Sequence, residues 1–533
     1  MSDICGSLRT MKLRDGHWRF DSRDLMRASC SHCTALSVAR ELKIPGLQQL
    51  LDRFFERPDN IAIRYGIRFE EALESELLAT LGGDMQKPSS SDPADTLSLM
   101  EQGVPVIYQG SLRGGSGGIE FSGRPDFLLR DDYIFEFLDV GLTARKIHED
   151  FSGYTAWDAK LSKTPKVDYQ NQVGLYADVL QVLGKCSQRP HGLIQGSREI
   201  NQFDPEVLIA QMTDARSKLL TSMQKSIDNP PQDLEVCGEL ICTATSYCQI
   251  CEYPLLCADQ RMQHNSLQLV AGVFMSHIES FRAVGVDTVR KLANYKGSTD
   301  SLSHDQVAVM AKQAKLQQHF YDTGENTWEV KDSSQLTSLP PEDPGDLFFD
   351  LEGFTFSEFA GGLEYLFGYV SIDKGEQFHW TWADDRAQEQ DSFETFMRFT
   401  LDRLEQFPNM KIYHYANYEQ SALKRLAKRF GSYEQEIESL LANEVFVDLY
   451  KIVKASLIVS QDGYSIKKLE NFYSFDRSSD VKEAMSSLEY YDQYLTALAA
   501  APAQAEMLKR QVLSYNQDDC VSTLALCRWL RTL

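Results

Sequence analysis

Hydrophobic and polar positions repeat along the chain with two different periods. In the first half, apolar residues at helical spacing predict helices, and shorter apolar and aromatic runs predict strands. The glycine-rich stretch 114–123 is predicted to be a turn between strands. The predicted helices cover 20–42, 64–83 and 170–184, and the predicted strands cover 104–112, 124–130, 133–140 and 154–161.

A proline-rich stretch at 339–346 predicts a domain boundary, after which strands and helices alternate. This alternation predicts an α/β sheet covered by helices. Before the boundary, two short helices within 276–297 flank Val284-Gly285-Val286, which is similar to a helix-hairpin-helix but equally compatible with a plain helical connector. The later strands are predicted at 346–353, 363–372 and 410–416, and the helices at 393–407, 418–430 and 512–530.

Length and charge limit the classes of protein to which this chain can belong. A chain of 533 residues should hold two or three domains. The net charge of −23 argues against a simple nucleic-acid coat, yet an enzyme that clusters carboxylates around metal ions would carry such a charge. No apolar run approaches the roughly 18 residues that span a bilayer, and the N-terminus lacks the apolar core of a secretory signal. We therefore expect a cytoplasmic protein with no membrane partner.

Two predicted strands of the first half carry carboxylates and a lysine. Asp158 and Lys160 lie two residues apart, so they project from one face of their strand and are predicted to converge beside Asp126. Gln172 and Tyr176 lie four residues apart on the following helix and share a face. Carboxylates that hold divalent metal ions, with a lysine near the phosphate, are suited to phosphodiester hydrolysis.

This ordered set resembles the PD-(D/E)XK motif of the RecB-like nuclease family. Upstream, Glu70 falls where the family has a G-x-x-H-E element, with Phe69 in place of its histidine. The resemblance implies that three carboxylates hold Mg²⁺ or Mn²⁺: Glu70, Asp126 and Asp158. It implies that Lys160 stabilises the transition state, and that Gln172 and Tyr176 orient the nucleic acid or the metal ligands.

The cysteines are split between the two ends of the first half. Cys30 stands alone, whereas Cys248, Cys251 and Cys257 form a C-x-x-C-x5-C trio. Thiolates suit iron–sulfur clusters and zinc alike, and a core without metal is a third reading. RecB-like nucleases include members that hold a 4Fe–4S cluster with one cysteine before the nuclease core and three after it. The resemblance therefore implies that these four cysteines bind a 4Fe–4S cluster that staples the domain.

A second set of carboxylates lies beyond the proline-rich boundary. Asp350 and Glu352 lie two residues apart in an otherwise apolar strand, where burying paired like charges is costly unless a cation lies between them. Glu419 follows a strand-to-helix junction. Tyr515 and Asp519 are four residues apart on a predicted helix, so they share a face.

This second set resembles the DnaQ-like exonucleases of the RNase H fold. Glu419 stands where that family has an aspartate. The resemblance implies that four carboxylates hold two metal ions for trimming of 3′ ends: Asp350, Glu352, Glu419 and Asp519. It also implies that Tyr515 positions the attacking water.

Both resemblances together predict three segments: a RecB-like PD-(D/E)XK domain over 1–262, a helical connector over 263–338, and an RNase H-like exonuclease domain over 339–533. The expected function is metal-dependent hydrolysis of nucleic acid, with DNA that is single-stranded or carries free ends favoured and RNA open. The rival expectation is a catalytically degenerate subunit that binds nucleic acid or assembles with a helicase. The chain has no G-x-x-x-x-G-K-[ST] loop, so such an ATPase would be a separate chain.

Overall fold

The computed structural model describes residues 11–55, 61–116, 119–230, 244–357, 359, 361–478 and 487–533. The chain divides into two compact units, Met1–Arg261 and Met262–Leu533. Among the described residues, none of the helices combines the length and the apolar character that crossing a membrane requires.

The first unit is a mixture of strands and helices. Its strands are β1 (Lys12–Arg14), β2 (His17–Asp21), β3 (Met85–Gln86), β4 (Val106–Tyr108), β5 (Leu112–Ser116), β6 (Ile119–Gly123), β7 (Phe127–Arg130), β8 (Tyr133–Leu138), β9 (Gly141–Lys146), β10 (Tyr154–Lys160), β11 (His191–Gln195) and β12 (Ile200–Phe203). Its helices are α1 (Ser31–Glu41), α2 (Gln48–Arg53), α3 (Ile61–Leu81), α4 (Pro93–Glu101), α5 (Val167–Val182), α6 (Pro205–Asp228) and α7 (Pro254–Gln263), which ends just past the unit boundary.

A six-stranded sheet in the order β12-β11-β10-β7-β4-β3 forms the centre of the first unit. Successive side chains alternate between its faces. Ile107, Leu128 and Ala156 pack in one apolar cluster with side chains of α5 and α6. Phe127 and Trp157 pack in another with α3 and the β8–β9 hairpin. The helices therefore cover both faces of this sheet.

The prediction of a turn over the whole glycine-rich stretch 114–123 was too broad, since residues 117 and 118 lie outside the described part of the chain and the rest lie in strands. Its described residues lie mainly in β5 and β6, which pair antiparallel within a second sheet of order β1-β2-β6-β5. Glycine is the residue that tolerates the close approach here, because a Cβ on Gly115 would lie 2.2 Å from the Ile119 carbonyl oxygen. Composition alone predicted a turn, whereas pairing with a neighbouring strand decides the structure.

The second unit also mixes strands and helices. Its strands are β13 (Trp328–Val330), β14 (Leu347–Phe354), β15 (Leu363–Ser371), β16 (Gln377–Trp382), β17 (Ile412–His414), β18 (Phe446–Asp448) and β19 (Leu457–Val459). Its helices are α8 (Met275–Ala283), α9 (Val289–Ala293), α10 (His304–Thr323), α11 (Ser334–Thr337), α12 (Arg386–Gln406), α13 (Tyr418–Phe430), α14 (Glu434–Ala442), α15 (Leu449–Ser456), α16 (Ile466–Leu469), α17 (Ser487–Ala500) and α18 (Pro502–Leu530).

The central sheet of the second unit has the strand order β16-β15-β14-β17-β18. The strands β14, β15 and β16 pair antiparallel, whereas β17 and β18 run parallel to β14. Leu347 and Phe349 of β14 pack against α12, α13 and α14 on one face. Phe348 packs against α15, α16 and α18 on the other. Helices thus cover both faces, as the alternation along the sequence predicted.

Candidate functional site

The carboxylates of the second unit converge between β14 and α18. Because side chains alternate along a strand, Asp350 and Glu352 lie on the same face as Phe348, which packs against α18. Asp519 comes from α18 itself. One oxygen each of Asp350, Glu352 and Asp519 lies within 4.8 Å of the other two. We call these three residues the carboxylate trio.

Each member of the trio accepts a hydrogen bond from a different part of the chain. The Asn516 side-chain amide donates to Asp350 Oδ2 over 2.6 Å. The Ser487 hydroxyl donates to Glu352 Oε2 over 2.7 Å. A guanidinium nitrogen of Arg477 lies 2.7 Å from Asp519 Oδ1 and also pairs with Glu470. Asn516 and Ser487 are neutral donors, so Arg477 is the cationic one of the three. Its charge is divided between Asp519 and Glu470.

Burial and mutual repulsion raise the pKa values of the three carboxyl groups in the trio. Burial, followed by the charges of Asp519 and Glu352, raises the pKa of Asp350 well above its usual range. Burial and Asp519 raise the pKa of Glu352 to about 8. Burial also raises the pKa of Asp519, although Arg477 opposes this. Oxygen donors held this close fit a hard divalent cation such as Mg²⁺ or Mn²⁺, which would offset the repulsion.

Tyr515 lies one helical turn before Asp519 on α18. Burial, followed by the charges of Asp519 and Glu352, raises the pKa of its phenol well above the usual value. The Lys467 ammonium lies 4.7 Å from the centroid of the Tyr515 ring. The phenol therefore keeps its proton at neutral pH and can act as a hydrogen-bonding group but not as a base.

Glu419 lies outside the trio. It is buried in the first turn of α13, and its Oε2 lies 3.3 Å from Nδ1 of His414. Its charge still contributes to the raised pKa of Asp350. Asp448 caps α15, with its Oδ1 accepting hydrogen bonds from the backbone N–H groups of Tyr450 and Lys451. The structure therefore brings together three of the four predicted carboxylates and pairs the fourth with a histidine.

The first unit holds a second group of charged side chains, between β7 and β10. The antiparallel pairing of Phe127 with Trp157 brings Asp126 opposite Asp158. The Asp126 N–H lies 3.3 Å from Asp158 Oδ1, and the Ala159 N–H donates to Asp126 Oδ2 over 2.7 Å. The Lys160 ammonium lies 2.7 Å from Asp158 Oδ2. The predicted convergence of Asp126, Asp158 and Lys160 is therefore present in the structure.

The charges of this group act on one another through a buried site. Burial, followed by the charges of Asp158 and Glu70, raises the pKa of Asp126 well above its usual range, against the effect of Lys160. Burial tends to lower the pKa of Lys160, but the Asp158 and Asp126 carboxylates outweigh it and raise the pKa. Lys160 therefore stays charged and provides this site with its own cation.

The remaining predicted residues of the first unit lie around this group. Glu70 projects from α3 and accepts a 2.6 Å hydrogen bond from Gln109. Its ligand atoms do not lie within 4.8 Å of those of both Asp126 and Asp158, although its charge helps to raise the pKa of Asp126. Gln172 and Tyr176 share a face of α5, and the Gln172 amide donates to the Tyr176 hydroxyl over 2.6 Å.

The cysteines from the two ends of the first unit come together. Cys30, Cys33 and Cys251 lie in one buried cluster, and Sγ of Cys33 is 3.5 Å from Sγ of Cys251. Cys257 is buried on α7, and Cys248 is partly exposed. Thiolates of this kind fit soft-metal chemistry, either an iron–sulfur cluster or zinc. Cys33, which the one-plus-three pattern leaves out, is adjacent to a predicted ligand.

Other contacts reinforce the same junction. A buried ion pair of 2.6 Å joins Arg27, just before Cys30, to Glu252, just after Cys251. The N–H groups of Thr245 and Tyr253 each lie 3.4 Å from a sulfur, of Cys248 and Cys251 respectively. Sequence segments more than two hundred residues apart therefore meet around these sulfurs.

Three contacts of the carboxylate trio were not predicted from the sequence: Asn516, Ser487 and Arg477. Asn516 could have been found, since it precedes Asp519 by three residues and therefore shares its helix face. Ser487 and Arg477 lie in segments without a recognisable motif, so only the folded chain brings them to the site.

Comparison with known proteins bears on the second unit alone. No curated protein and no solved structure matches the chain. A family model described as the RNase_H superfamily matches residues 347–531, which run from the first residue of β14 to just past the end of α18. The matched segment includes the whole carboxylate trio. The C-terminal part of the chain is therefore an RNase H-like domain.

Proposed function

We propose that the protein is a divalent-metal-dependent nuclease whose principal active site is the carboxylate trio. The RNase H-like domain suggests a hydrolase of the nuclease type. The observation that carries the proposal is the convergence of Asp350, Glu352 and Asp519 within 4.8 Å at the centre of that domain. Such a set of oxygen ligands is suited to holding Mg²⁺ or Mn²⁺ against a phosphodiester.

A bound divalent ion would polarise the phosphate and make a water molecule more nucleophilic. The protein's own residues would hold and orient the reactants. Asp350, Glu352 and Asp519 would hold the ion. Tyr515, kept protonated by burial, would orient the water through its hydroxyl. Arg477, in contact with Asp519, would place positive charge near the phosphate.

We further propose that this site trims nucleic acids from their 3′ ends, as in DnaQ-like exonucleases. The spacing of Tyr515 and Asp519 on α18 supports this reading, since it places a water-orienting hydroxyl one turn from a metal ligand. DNA is the favoured substrate, single-stranded or with a free end. RNA is the alternative that a panel of labelled substrates would test directly.

A second nuclease site in the first unit is supported by a separate observation. Lys160 contacts Asp158, which lies against Asp126, in the arrangement that the PD-(D/E)XK resemblance calls for. We propose that this group binds a divalent ion and that Lys160 stabilises the transition state. Glu70 would need to move toward Asp126 in order to join these ligands.

We propose that the sulfurs of Cys30, Cys248, Cys251 and Cys257 hold a 4Fe–4S cluster that staples the first unit. The meeting of the two chain segments around these residues supports this proposal. Anaerobic purification followed by iron and sulfide analysis tests it. A colourless protein that contains one zinc ion would contradict it.

The central experiment measures Mn²⁺-dependent cleavage of labelled single-stranded and duplex DNA and RNA. The wild type is compared with Asp350→Ala, Asp158→Ala and the double variant. We expect Asp350→Ala to abolish the 3′-trimming products and the double variant to cut nothing. A double variant as active as the wild type, or a wild type that cuts no substrate, would remove the catalytic proposal.

An inactive wild type would favour the rival function, a subunit that binds nucleic acid beside a separate ATPase. Glu419 pairs with His414 and does not join the trio, and this motivates the rival function. Affinity purification from lysate, followed by an ATPase assay of the captured proteins, would distinguish it from the enzyme.

A further inference from the structure

The carboxylate trio lies in register with two tryptophans on the edge strand β16. Each row of directly paired residues runs across three strands. The rows are Asp350–Gly368–Trp380 and Glu352–Leu366–Trp382. Residues directly opposite one another in a sheet project from the same face. Strands lie about 4.8 Å apart, so the tryptophans stand about 10 Å across the sheet from the carboxylates.

The two tryptophans differ in how firmly they are held. The Trp382 indole N–H donates to Asp384 over 2.8 Å, and its ring packs against Tyr494 at a centroid distance of 5.2 Å. Trp380 is 46% exposed, which is unusual for so large an aromatic side chain. Trp382 is therefore held in place by its neighbours, whereas the ring of Trp380 is exposed at the edge of the sheet.

A lysine of α18 places its positive charge next to both tryptophan rings. The Lys509 ammonium lies 4.6 Å from the Trp382 centroid and 5.6 Å from the Trp380 centroid. Lys509 lies two helical turns before Asn516, the residue that contacts Asp350. We call Trp380, Trp382 and Lys509 the tryptophan surface. It combines an exposed π face with a cation, on the sheet face that carries the trio.

We propose that the tryptophan surface binds the single-stranded nucleic-acid substrate of the carboxylate trio. A base would stack on Trp380 while a backbone phosphate pairs with Lys509, the combination by which proteins hold single strands without regard to sequence. The span of about 10 Å corresponds to about three stacked nucleotides at 3.4 Å each. Bases within a duplex are already stacked, so the surface selects single strands. This inference rests on the proposed nuclease function.

Binding by fluorescence anisotropy tests the surface. The full chain carrying both Asp350→Asn and Asp158→Asn, so that neither proposed site cuts the probe, is titrated with a labelled oligodeoxynucleotide, single-stranded or in a duplex. Adding Trp380→Ala should weaken single-strand binding about tenfold, because one base loses the ring on which it stacks. Trp380→Phe should retain most of the affinity. Duplex binding should change less than twofold.

The charge contribution is tested separately. Lys509→Gln should reduce the slope of log affinity against log salt by about 0.7, the value for one phosphate contact on a single strand. The matched control is Lys218→Gln on α6, where the lysine pairs with Asp214 on an exposed surface. That variant should leave the slope unchanged. Thermal unfolding verifies that each variant remains folded.

Several outcomes would overturn the inference. Trp380→Ala that binds single strands as tightly as its parent would remove the surface, and so would an equal loss on single strands and duplexes. A variant that changes the sedimentation of the protein but not its DNA affinity would identify a protein-docking surface instead.

A wild type that cuts nothing but binds single strands through Trp380 would remove the nuclease function and keep the surface. If the wild type cuts its substrates but Trp380→Ala binds single strands as tightly as its parent, the nuclease function is kept and the tryptophan surface is removed.

Discussion

The two acidic sites of this protein differ in where their positive charge comes from. In the first unit, Asp126 and Asp158 have Lys160 within the group, 2.7 Å from one carboxylate. In the second, three carboxylates converge with two neutral donors and with an arginine that they share with Glu470. The first site therefore compensates much of its own charge, whereas the second is left with an excess of negative charge.

This difference predicts that the second site depends more than the first on a bound ion to offset its charge. Buried like charges are stable only when a cation or a proton lies between them. Lys160 provides that cation permanently. Even so, burial and Asp158 raise the pKa of Asp126 there. In the carboxylate trio the pKa of all three carboxylates is raised, that of Glu352 to about 8. We therefore expect the second site to respond more strongly than the first to metal, to charge removal and to alkaline pH.

The largest expected effect is on catalysis in the second unit. Asp519→Asn removes a proposed metal ligand, and we expect the proposed Mn²⁺-dependent 3′ trimming to fall at least about a thousandfold, since a bound ion would stabilise the transition state by several kcal/mol. Asp518→Asn is the matched control, because Asp518 accepts hydrogen bonds from Ser478 instead. It should retain activity within about tenfold. Equal losses from both substitutions, measured as initial rates, would contradict the assignment.

The next effect is on stability, where the two sites should respond in opposite directions. Lys160→Met leaves buried carboxylates without their cation and should lower the free energy of unfolding by about 3 kcal/mol. Asp350→Asn removes one of three repelling charges and should raise it by about 1 kcal/mol in EDTA. Urea unfolding measures both values.

Lys163→Met is the control for the first of these substitutions. Lys163 is exposed three residues from Lys160, and a surface change of this kind should stay within about 0.5 kcal/mol. Stabilisation by Lys160→Met, or destabilisation by Asp350→Asn comparable to it, would remove the distinction between the two sites.

The third effect concerns metal binding. A ligand that binds only the folded state at a hundred times its Kd stabilises that state by about 2.7 kcal/mol. Mg²⁺ should therefore raise the unfolding temperature of the wild type and of Asp158→Asn, while Asp350→Asn should lose most of this increase. Calorimetry with and without Mg²⁺ measures the shift. If Asp158→Asn abolished the shift and Asp350→Asn retained it, the metal-dependent site would lie in the first unit.

The sequence predicted those parts of the sites that local geometry determines. Asp158 and Lys160 share a face because a strand repeats every two residues, and Tyr515 and Asp519 share one because a helix repeats every 3.6. The helix predicted over 418–430 is confirmed to the residue. Each of these relations lies within one element, so no knowledge of the fold was needed.

What the sequence did not predict depends on contacts between distant elements. Glu419 pairs with His414 across a strand-to-helix junction, a choice that spacing alone does not reveal. Arg477 reaches Asp519 across 42 positions of the chain. Trp380 acquires its place beside the trio only through the register of three strands. Residue types suggest such partners, but only tertiary structure selects among them.

The smallest effect is a pair of opposite pH dependences in EDTA. His191 in the first unit accepts a 2.9 Å hydrogen bond from the Ala156 N–H, and burial lowers its pKa to about 4. The unfolded histidine takes up a proton below about pH 6.5, so the first unit should lose stability as the pH falls from 6.5 toward 4. Glu352 behaves in the reverse way. Its raised pKa stabilises the second unit below about pH 4.5, and this contribution is lost as the pH rises toward 8.

One proton limits either slope to about 1.4 kcal/mol per pH unit, so the unfolding temperature should change by at most a few degrees per pH unit. Calorimetry across this pH range, in EDTA, measures both. Asp519→Asn should flatten the alkaline slope, because Asp519 is the charge that, after burial, does most to raise the pKa of Glu352. Saturating Mg²⁺ should remove the same slope, because the ion takes the place of the proton. An alkaline slope that survives both changes would come from another carboxyl with a raised pKa, such as Asp126, and would mean that the trio does not hold the proton.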